Sequence, residues 1–186
     1  MILITGATGR VGSATLKQLS TRGVSVRALV RTAEKAALVA NPQVETVIGD
    51  LAQPRSLDSA LDGITAALLV SPLDLHQVEL QGNFIDAAKR AGRVHVVKIS
   101  GLGTALDSSV RSGRWHAQTE KYLEDSGLPF THLRPPFFMQ NLLRFAPTIR
   151  ASGEFVGSLN QGKVAMIDVD DIAAVAAAAL STDAHA

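Results

Sequence analysis

Cysteine is absent from this 186-residue chain, and aromatic residues are scarce. The lack of thiols excludes disulfides, thiol catalysis and cysteine-ligated metal clusters, so redox chemistry would need a borrowed cofactor. One tryptophan, one tyrosine and six phenylalanines are too few to build a base-stacking platform for nucleic acid. We therefore expect no thiol-based activity, no metal site and no direct contact with nucleic acid.

The chain also lacks an excess of charge and a long apolar run. Its formal net charge at pH 7 is +1, which gives no electrostatic argument for a polyanion or an acidic membrane surface. The longest apolar run, residues 172–180, is far shorter than the roughly 20 residues of a membrane span. No basic region precedes the apolar residues at the N-terminus. These absences favour a cytoplasmic protein without membrane contact.

A glycine-rich segment follows the first apolar run, with Gly6, Gly9 and Gly12 at three-residue spacing. In a strand–turn–helix unit, the first glycine permits the turn, the second lets backbone approach a phosphate, and the third lets the helix pack on the sheet. A helix beginning near Arg10 would present its N–H groups and its dipole to an anion. The segment predicts a pyrophosphate site, with a ligand-free glycine turn as the alternative. Its candidate cofactor-binding residues are Gly6, Thr8, Gly9, Arg10, Val11 and Gly12.

Strand-like and helix-like runs alternate along the chain. Continuous apolar runs typical of parallel strands cover residues 2–5, 24–30, 44–49, 64–70, 94–100 and 129–135. Helices are expected from residue 10 and over 33–39, 56–61, 74–91 and 112–126, and a last strand and helix follow, with Asp168, Asp170 and Asp171 at the helix N-terminus. This rhythm predicts an α/β fold with a doubly wound parallel sheet of the Rossmann type, as one domain over residues 1–186.

Residues after the second, third and fourth strands bear on the choice of cofactor. Arg31 follows the second strand, where a dinucleotide fold faces the adenosine ribose and where an arginine pairs with a 2′-phosphate. Lys35 and Arg10 would add positive charge, so the sequence predicts NADP(H) rather than NAD(H), with a solvated charge as the alternative for Arg31. Asp50 is expected either to contact the adenine or to start a turn. Ser71, after the fourth strand, is a further cofactor-binding candidate.

Several segments together resemble the NmrA-like atypical short-chain dehydrogenase/reductases, and among these the NADPH-dependent quinone oxidoreductase branch. They are ITGATGRVG, LVR, GDL, KIS and HAQTEKYLEDSGLPFTHLRPPFFMQN, and the resemblance runs over nearly the whole chain. It implies an NAD(P)-binding domain that transfers hydride from NADPH to a quinone or a similar small electron acceptor. It also implies that the chain is short of the family's usual C-terminal substrate portion.

The resemblance further suggests catalytic residues on the fifth helix. Most members of the wider superfamily use a Tyr-x-x-x-Lys pair, and the alignment places His116 and Glu120 at those positions and Ser100 at that of the assisting serine. At i and i+4, His116 and Glu120 could form a polarised imidazole that donates a proton near pH 7, or only a surface ion pair. The missing tyrosine favours a quinone, because a hydroquinone anion is far less basic than an alkoxide and can take its protons from solvent.

The resemblance places Pro135 beside the nicotinamide ring and puts Phe137, Phe138 and Asn141 on the substrate side. Packing of the two phenylalanines in a core is the alternative. A function of another class also stays open, namely a non-catalytic NADP(H)-sensing module that binds a protein partner. A sugar-nucleotide epimerase or dehydratase is disfavoured because those chemistries depend on the Tyr/Lys pair. The sequence leaves homodimerisation open.

Overall fold

The apolar runs form a parallel sheet. A computed structural model describes residues 1–155, 157 and 161–182. Six strands make up the main sheet: β1 (Ile2–Ile4), β2 (Val26–Val30), β3 (Val44–Ile48), β4 (Ala66–Leu69), β5 (His95–Ile99) and β6 (Phe130–Leu133). Their order is β3-β2-β1-β4-β5-β6, and every neighbouring pair is parallel. The predicted doubly wound α/β fold is confirmed. Successive strands are added on one side of β1 as far as β3 and on the other side from β4 onwards, and ligands of such sheets bind at this switch point between β1 and β4.

Seven α-helices connect or follow these strands within the described residues. They are α1 (Arg10–Thr21), α2 (Ala33–Ala37), α3 (Ser56–Leu61), α4 (Gln77–Ala91), α5 (Arg111–Glu124), α6 (Ala146–Ser152) and α7 (Val169–Ser181). A 3-10 helix, Met139–Phe145, precedes α6, and two short parallel strands, β7 (Phe137–Phe138) and β8 (Met166–Ile167), pair with each other. No helix among the described residues is both long and apolar enough to cross a membrane.

Helix α4 begins three residues later than the sequence predicts. The Asp74 carboxylate accepts a hydrogen bond from the His76 N–H at 2.8 Å, and the Asp74 carbonyl accepts one from the Gln77 N–H at 3.2 Å. Aspartate side chains readily bond to backbone two residues on, and this produces a turn rather than a first helical turn. The turn brings Gln77 to the beginning of the helix, close to the carboxyl edge of the sheet.

The core lies in two layers, one on each face of the sheet. On one face α1 and α7 bury Ile4, Leu19 and Ile172, while on the other α3, α4 and α5 bury Leu57 and Phe84. Burial of each such side chain contributes about 1.5–3 kcal/mol to stability. Both faces are therefore covered, which explains why the strands read as continuous apolar runs rather than alternating ones.

Helix ends follow the predicted chemistry. The Asp168 carboxylate accepts a hydrogen bond from the Asp170 N–H at 2.8 Å and so caps the amino end of α7. Four glycines that lie between a helix and the next strand have positive φ angles, namely Gly23, Gly63, Gly92 and Gly127.

Candidate active site

The glycine-rich loop between β1 and α1 has the geometry that the spacing predicts. Gly6 has a φ of +58°, and its carbonyl accepts a hydrogen bond from the Gly9 N–H at 2.8 Å. A Cβ atom at Gly12 would collide with the Gly6 carbonyl group, which is backbone and cannot move independently. Glycine at position 12 therefore allows α1 to start directly on top of the turn.

The open side of this loop fits a pyrophosphate. Gly9 caps α1 without any side-chain hydrogen bond, so the first amides of this twelve-residue helix lack a side-chain acceptor. A Cβ at Gly9 would meet only the Gly6 carbonyl oxygen within 4 Å, and Thr8 and Arg10 are exposed. Val11 is buried in the core layer under α1 and α7, so its side chain faces away from the loop and only its backbone N–H could meet a ligand. Open backbone at a helix N-terminus is suited to anion binding.

Thr5 supports this loop and was not singled out from the sequence. Its hydroxyl oxygen accepts a hydrogen bond from the Val70 N–H at 2.7 Å and lies 3.0 Å from the Leu68 carbonyl oxygen. Thr5 is fully buried, and its hydroxyl joins the carboxyl ends of β1 and β4, the two strands between which the order of strand addition reverses. A threonine that ends an apolar strand is visible in the sequence, but its partners on β4 are not.

The expected contacts for the adenosine half lie along the same edge of the sheet. Arg31 directly follows β2, is exposed, and forms no hydrogen bond or ion pair with any described residue. Lys35 is exposed on α2 nearby. The Asp50 carboxylate accepts a hydrogen bond from the Ala52 N–H at 2.9 Å, which is the turn predicted as one alternative for this residue. Ser71 accepts a hydrogen bond from the Gln81 side chain at 2.8 Å.

The structure does not pair His116 with Glu120. Both Glu120 carboxylate oxygens accept hydrogen bonds from the Arg134 guanidinium, at 3.0 Å and 2.6 Å. His116 turns towards the sheet, where its Nδ1 lies 3.0 Å from Nζ of Lys98 and 3.1 Å from Nε2 of Gln77. The predicted pair is wrong because a planar guanidinium can bind both oxygens of one carboxylate, which a single imidazole nitrogen cannot.

The surroundings of His116 also argue against a protonated ring at neutral pH. Burial, and after it the positive charge of Lys98, lowers the pKa of His116 to about 4, against the opposing effect of Glu120. The expected proton-donating imidazole near pH 7 is therefore not favoured. A neutral ring still carries one N–H group and remains a hydrogen-bond donor.

Lys98 is a component of the site that sequence reasoning missed. It lies in the apolar strand β5 and is fully buried, and its burial lowers its pKa to about 8 although Glu120 opposes this. Burial raises the pKa of Glu120, but hydrogen bonds from Arg134 and Ser100 together with nearby positive charge outweigh it, so the pKa is lowered and the carboxylate is charged. A lysine within a strand is normally expected at the protein surface, so the sequence pattern did not predict a buried lysine beside His116.

The residues expected on the substrate side fall into different environments. Phe138 packs against the α1/α7 face of the core, as the packing alternative predicts, whereas Phe137 remains 41% exposed. Pro135 is buried, and its carbonyl accepts a hydrogen bond from the Leu102 N–H at 2.9 Å. Asn141 contacts the glycine-rich loop, because its amide oxygen accepts a hydrogen bond from Arg10.

One group of side chains has the composition of a metal site. Ligand atoms of Glu120, Glu124 and His132 lie within 4.8 Å of one another. However, Arg134 binds both oxygens of Glu120, and Nε2 of His132 lies 3.1 Å from Glu124. A cation would have to displace the guanidinium, so we interpret these side chains as an ion-pair network.

Comparison with known proteins identifies the family of the chain. A family model described as NAD(P)H-binding matches residues 6–183. An NAD(P)H azoreductase of Xenophilus azovorans is 44% identical over 185 residues, and quinone oxidoreductase 2 of Escherichia coli is 35% identical over 188 residues. Each alignment covers all of this chain and 65% of the relative, so the chain spans just under two thirds of the length of these proteins.

Solved structures show the same similarity. The NADPH-dependent quinone oxidoreductase of E. coli complexed with NADPH superposes with a TM-score of 0.90 at 34% identity, covering 100% of this chain and 66% of that one. The triphenylmethane reductase of Citrobacter sp. complexed with NADP(H) superposes with a TM-score of 0.88 at 27% identity, covering 100% and 67%. The resemblance inferred from the sequence is thereby confirmed.

Proposed function

Because this chain belongs to the NAD(P)H-binding family, we propose that it binds NADP(H) and that the protein reduces a quinone or a similar small electron acceptor. The observation that carries the cofactor part is the open glycine-rich loop at the amino end of α1, where Gly12 permits close packing and no side chain caps the helix. The azoreductase and quinone oxidoreductase relatives support the reaction class. They also favour an enzyme over the NADP(H)-sensing module.

Residues along the carboxyl edge of the sheet would hold the parts of the cofactor. The backbone around Gly9 would bind the pyrophosphate, while Arg31 and Lys35 would meet the 2′-phosphate. The Asp50 carboxylate oxygen that is not bonded to Ala52 remains for the adenine amino group. Ser71 and Pro135, at the ends of β4 and β6, would flank the nicotinamide. The bound cofactor supplies a hydride, and the chain supplies position and charge around it.

The side chains of α5 suit an acceptor that needs no strong acid. The position of the superfamily tyrosine holds His116, whose lowered pKa of about 4 keeps the ring neutral near pH 7. An ordinary ketone would become a strongly basic alkoxide and would need a proton donor there. A quinone becomes a stabilised anion that water can protonate, so the absence of an acid at this position supports an electron-poor conjugated acceptor.

Titration with NADPH and NADH tests the cofactor part. We expect Arg31→Ala to weaken NADPH binding about tenfold or more and to leave NADH binding nearly unchanged, since a hydrogen bond to a charged group contributes about 1.5–3 kcal/mol. Arg93→Ala is the matched control, because Arg93 is exposed before β5, at the opposite edge of the sheet. Equal effects on both nucleotides would contradict the assignment of Arg31 to a 2′-phosphate.

Turnover tests the reaction. NADPH oxidation is followed by absorbance with a simple quinone under anaerobic conditions, and the expected result is quinone-dependent oxidation by the wild-type chain. Binding of NADPH without turnover would overturn the reductase part for this chain and leave the cofactor part standing. Failure to bind either nucleotide would overturn both.

A further inference from the structure

The buried contact between Lys98 and His116 takes no part in the proposed binding of the cofactor. We propose that Lys98 is a positioning residue, which holds His116 in the tautomer with the proton on Nε2 and so prepares an N–H donor for the negative charge that develops on the acceptor. The use of this N–H donor in catalysis rests on the proposed reductase function. The tautomer itself follows from the geometry of β5 and α5.

Lys98 occupies a position where an apolar residue would be expected. Val97 and Ile99, its neighbours on β5, pack on the α1/α7 face, while Lys98 has the opposite orientation and is fully buried. Its Nζ lies 3.0 Å from Nδ1 of His116 and 3.5 Å from the Ile99 carbonyl oxygen. A buried ammonium group is costly unless it is hydrogen-bonded, so these contacts account for its stability there.

The contact with Lys98 determines which nitrogen of the His116 ring carries the proton. A lysine ammonium has three donors and no acceptor, so Nδ1 of His116 must accept from Lys98, and the proton of the neutral ring must be on Nε2. Gln77 Nε2 also points at Nδ1, from 3.1 Å. If the Gln77 amide were reversed so that its oxygen faced Nδ1, the tautomer assignment would stay the same. The protonated amine of Lys98 can only donate, so this contact is sufficient to fix Nδ1 as the acceptor.

The Nε2 side of the His116 ring faces the segment that follows β5. Cδ2, the ring carbon bonded to Nε2, faces Gly101, where an added Cβ would lie only 3.8 Å from it. His116 is partly exposed, and its Nε2 has no hydrogen-bond partner among the described residues. Gly101 directly follows Ser100 at the carboxyl end of β5, so the N–H group lies at the edge of the sheet where the cofactor loop also lies.

The chemistry needs a donor rather than an acid. When a quinone receives the hydride from NADPH, one proton and two electrons enter the acceptor and NADP⁺ is left, and one oxygen of the hydroquinone anion carries the negative charge until water protonates it. A fixed N–H beside that oxygen stabilises the charge as it forms, without giving up its proton. Lys98 contributes through His116, because its own Nζ is buried below the ring.

Imidazole ¹⁵N NMR tests the tautomer without cofactor or acceptor. In the wild-type chain at pH 7 we expect the His116 signals of a pure Nε2–H tautomer, assigned by their absence in His116→Gln. Lys98→Met should give a mixture of tautomers and a higher pKa of His116, whereas Lys98→Arg should retain the wild-type pattern. A pure Nε2–H tautomer in Lys98→Met, or an Nδ1–H tautomer in the wild type, would overturn the proposal.

A titration of the wild-type chain keeps the test decisive if Lys98→Met does not fold. The pKa of Lys98 is lowered to about 8, and the charged or titratable groups around it are His116 and Glu120 from α5, His132 from β6 and Arg134 after it. A deprotonated Lys98 amine can accept a hydrogen bond as well as donate one, so Nδ1 of His116 is no longer obliged to accept and the His116 signals should move towards a tautomer mixture between pH 7 and 10. Signals that stay constant over this range contradict the proposed role.

The kinetics of quinone reduction test whether the N–H donor on His116 contributes to turnover. We expect Lys98→Met to lower kcat for quinone reduction about tenfold with an unchanged NADPH dissociation constant, and to add little to the effect of His116→Gln in the double variant. Lys89→Met, an exposed lysine on α4, is the control. Fully additive effects would overturn the coupling. If the wild type shows no turnover, the reductase proposal fails, while the NMR result still decides the tautomer.

Discussion

The Arg10 guanidinium donates a hydrogen bond to the Asn141 amide oxygen at 2.8 Å, and so joins the glycine-rich loop to the 3-10 helix Met139–Phe145. From the sequence, Arg10 was assigned to the cofactor and Asn141 to the substrate side. Their contact makes the two regions neighbours.

Substitution of these two residues should separate their roles. Arg10→Ala is expected to weaken NADPH binding several-fold, and Asn141→Asp should weaken it as well, because a carboxylate would hold the guanidinium and repel phosphate. Asn141→Ala should leave NADPH affinity unchanged or raised. Both side chains lie at the surface, so the free energy of unfolding should change by less than about 1 kcal/mol. Fluorescence titration with NADPH measures this, and wild-type affinity in Arg10→Ala would exclude Arg10 as a phosphate contact.

Two glycines in helices should respond to alanine in opposite ways. Gly12→Ala places a Cβ against the Gly6 carbonyl group, so the loop must move and NADPH binding should be lost or greatly weakened. Gly82→Ala on α4 meets only a carbon of Tyr122, at 3.9 Å, and should stabilise the protein by about 0.5–1 kcal/mol. Urea unfolding and NADPH titration of both variants check this. NADPH binding by Gly12→Ala at wild-type strength would contradict the close packing of loop and helix.

Loss of the Thr5 hydroxyl should be costly although the side-chain volume is kept. In Thr5→Val the Val70 N–H loses its acceptor in a buried place, and we expect a loss of about 1–3 kcal/mol in the free energy of unfolding. Thr21→Val is the control, because Thr21 is exposed in the last turn of α1 and bonds only to carbonyl groups of its own helix. Equal urea midpoints for the two variants would show that Thr5 does not join β1 to β4 energetically.

Stability should fall on acidification, in part through His116. Its pKa is about 4 in the folded chain and 6.5 ordinarily, so the unfolded chain binds more protons between these values and stability decreases as pH falls from 6.5 to 4. The lowered pKa of Glu120 acts in the same direction at lower pH. His116→Gln should remove a pH-dependent change on the order of 2 kcal/mol, measured by urea unfolding at pH 7 and pH 4.5.

The sheet was predictable because its strands are buried on both faces. Each run is continuously apolar and is separated from the next by a helix-like segment, so periodicity and spacing were sufficient to find all six strands. The start of α4 was not predictable, because Asp74 forms a turn with His76 that competes with the helix. The glycine-rich loop could be assigned because its requirements are local to a few adjacent residues.

The interior of the site was less predictable because its contacts are not local. Spacing alone placed His116 and Glu120 on one helix face, but Arg134 comes from the end of β6 and binds the carboxylate instead. Lys98 lies in an apolar strand, and its partner is on α5. Helical spacing shows which side chains share a face, whereas charge pairing across elements depends on tertiary packing.

Packing of α7 against α1 affects the order in which parts of this chain can fold. Ile2 and Val11, from the first strand and helix, share a core layer with Ile172 and Leu180 from the last described helix. During synthesis, the apolar side of α1 therefore stays uncovered until α7, near the end of the described chain, has left the ribosome. Contacts between such distant segments slow folding, so the nucleotide loop should be among the last parts of the chain to become protected from proteases.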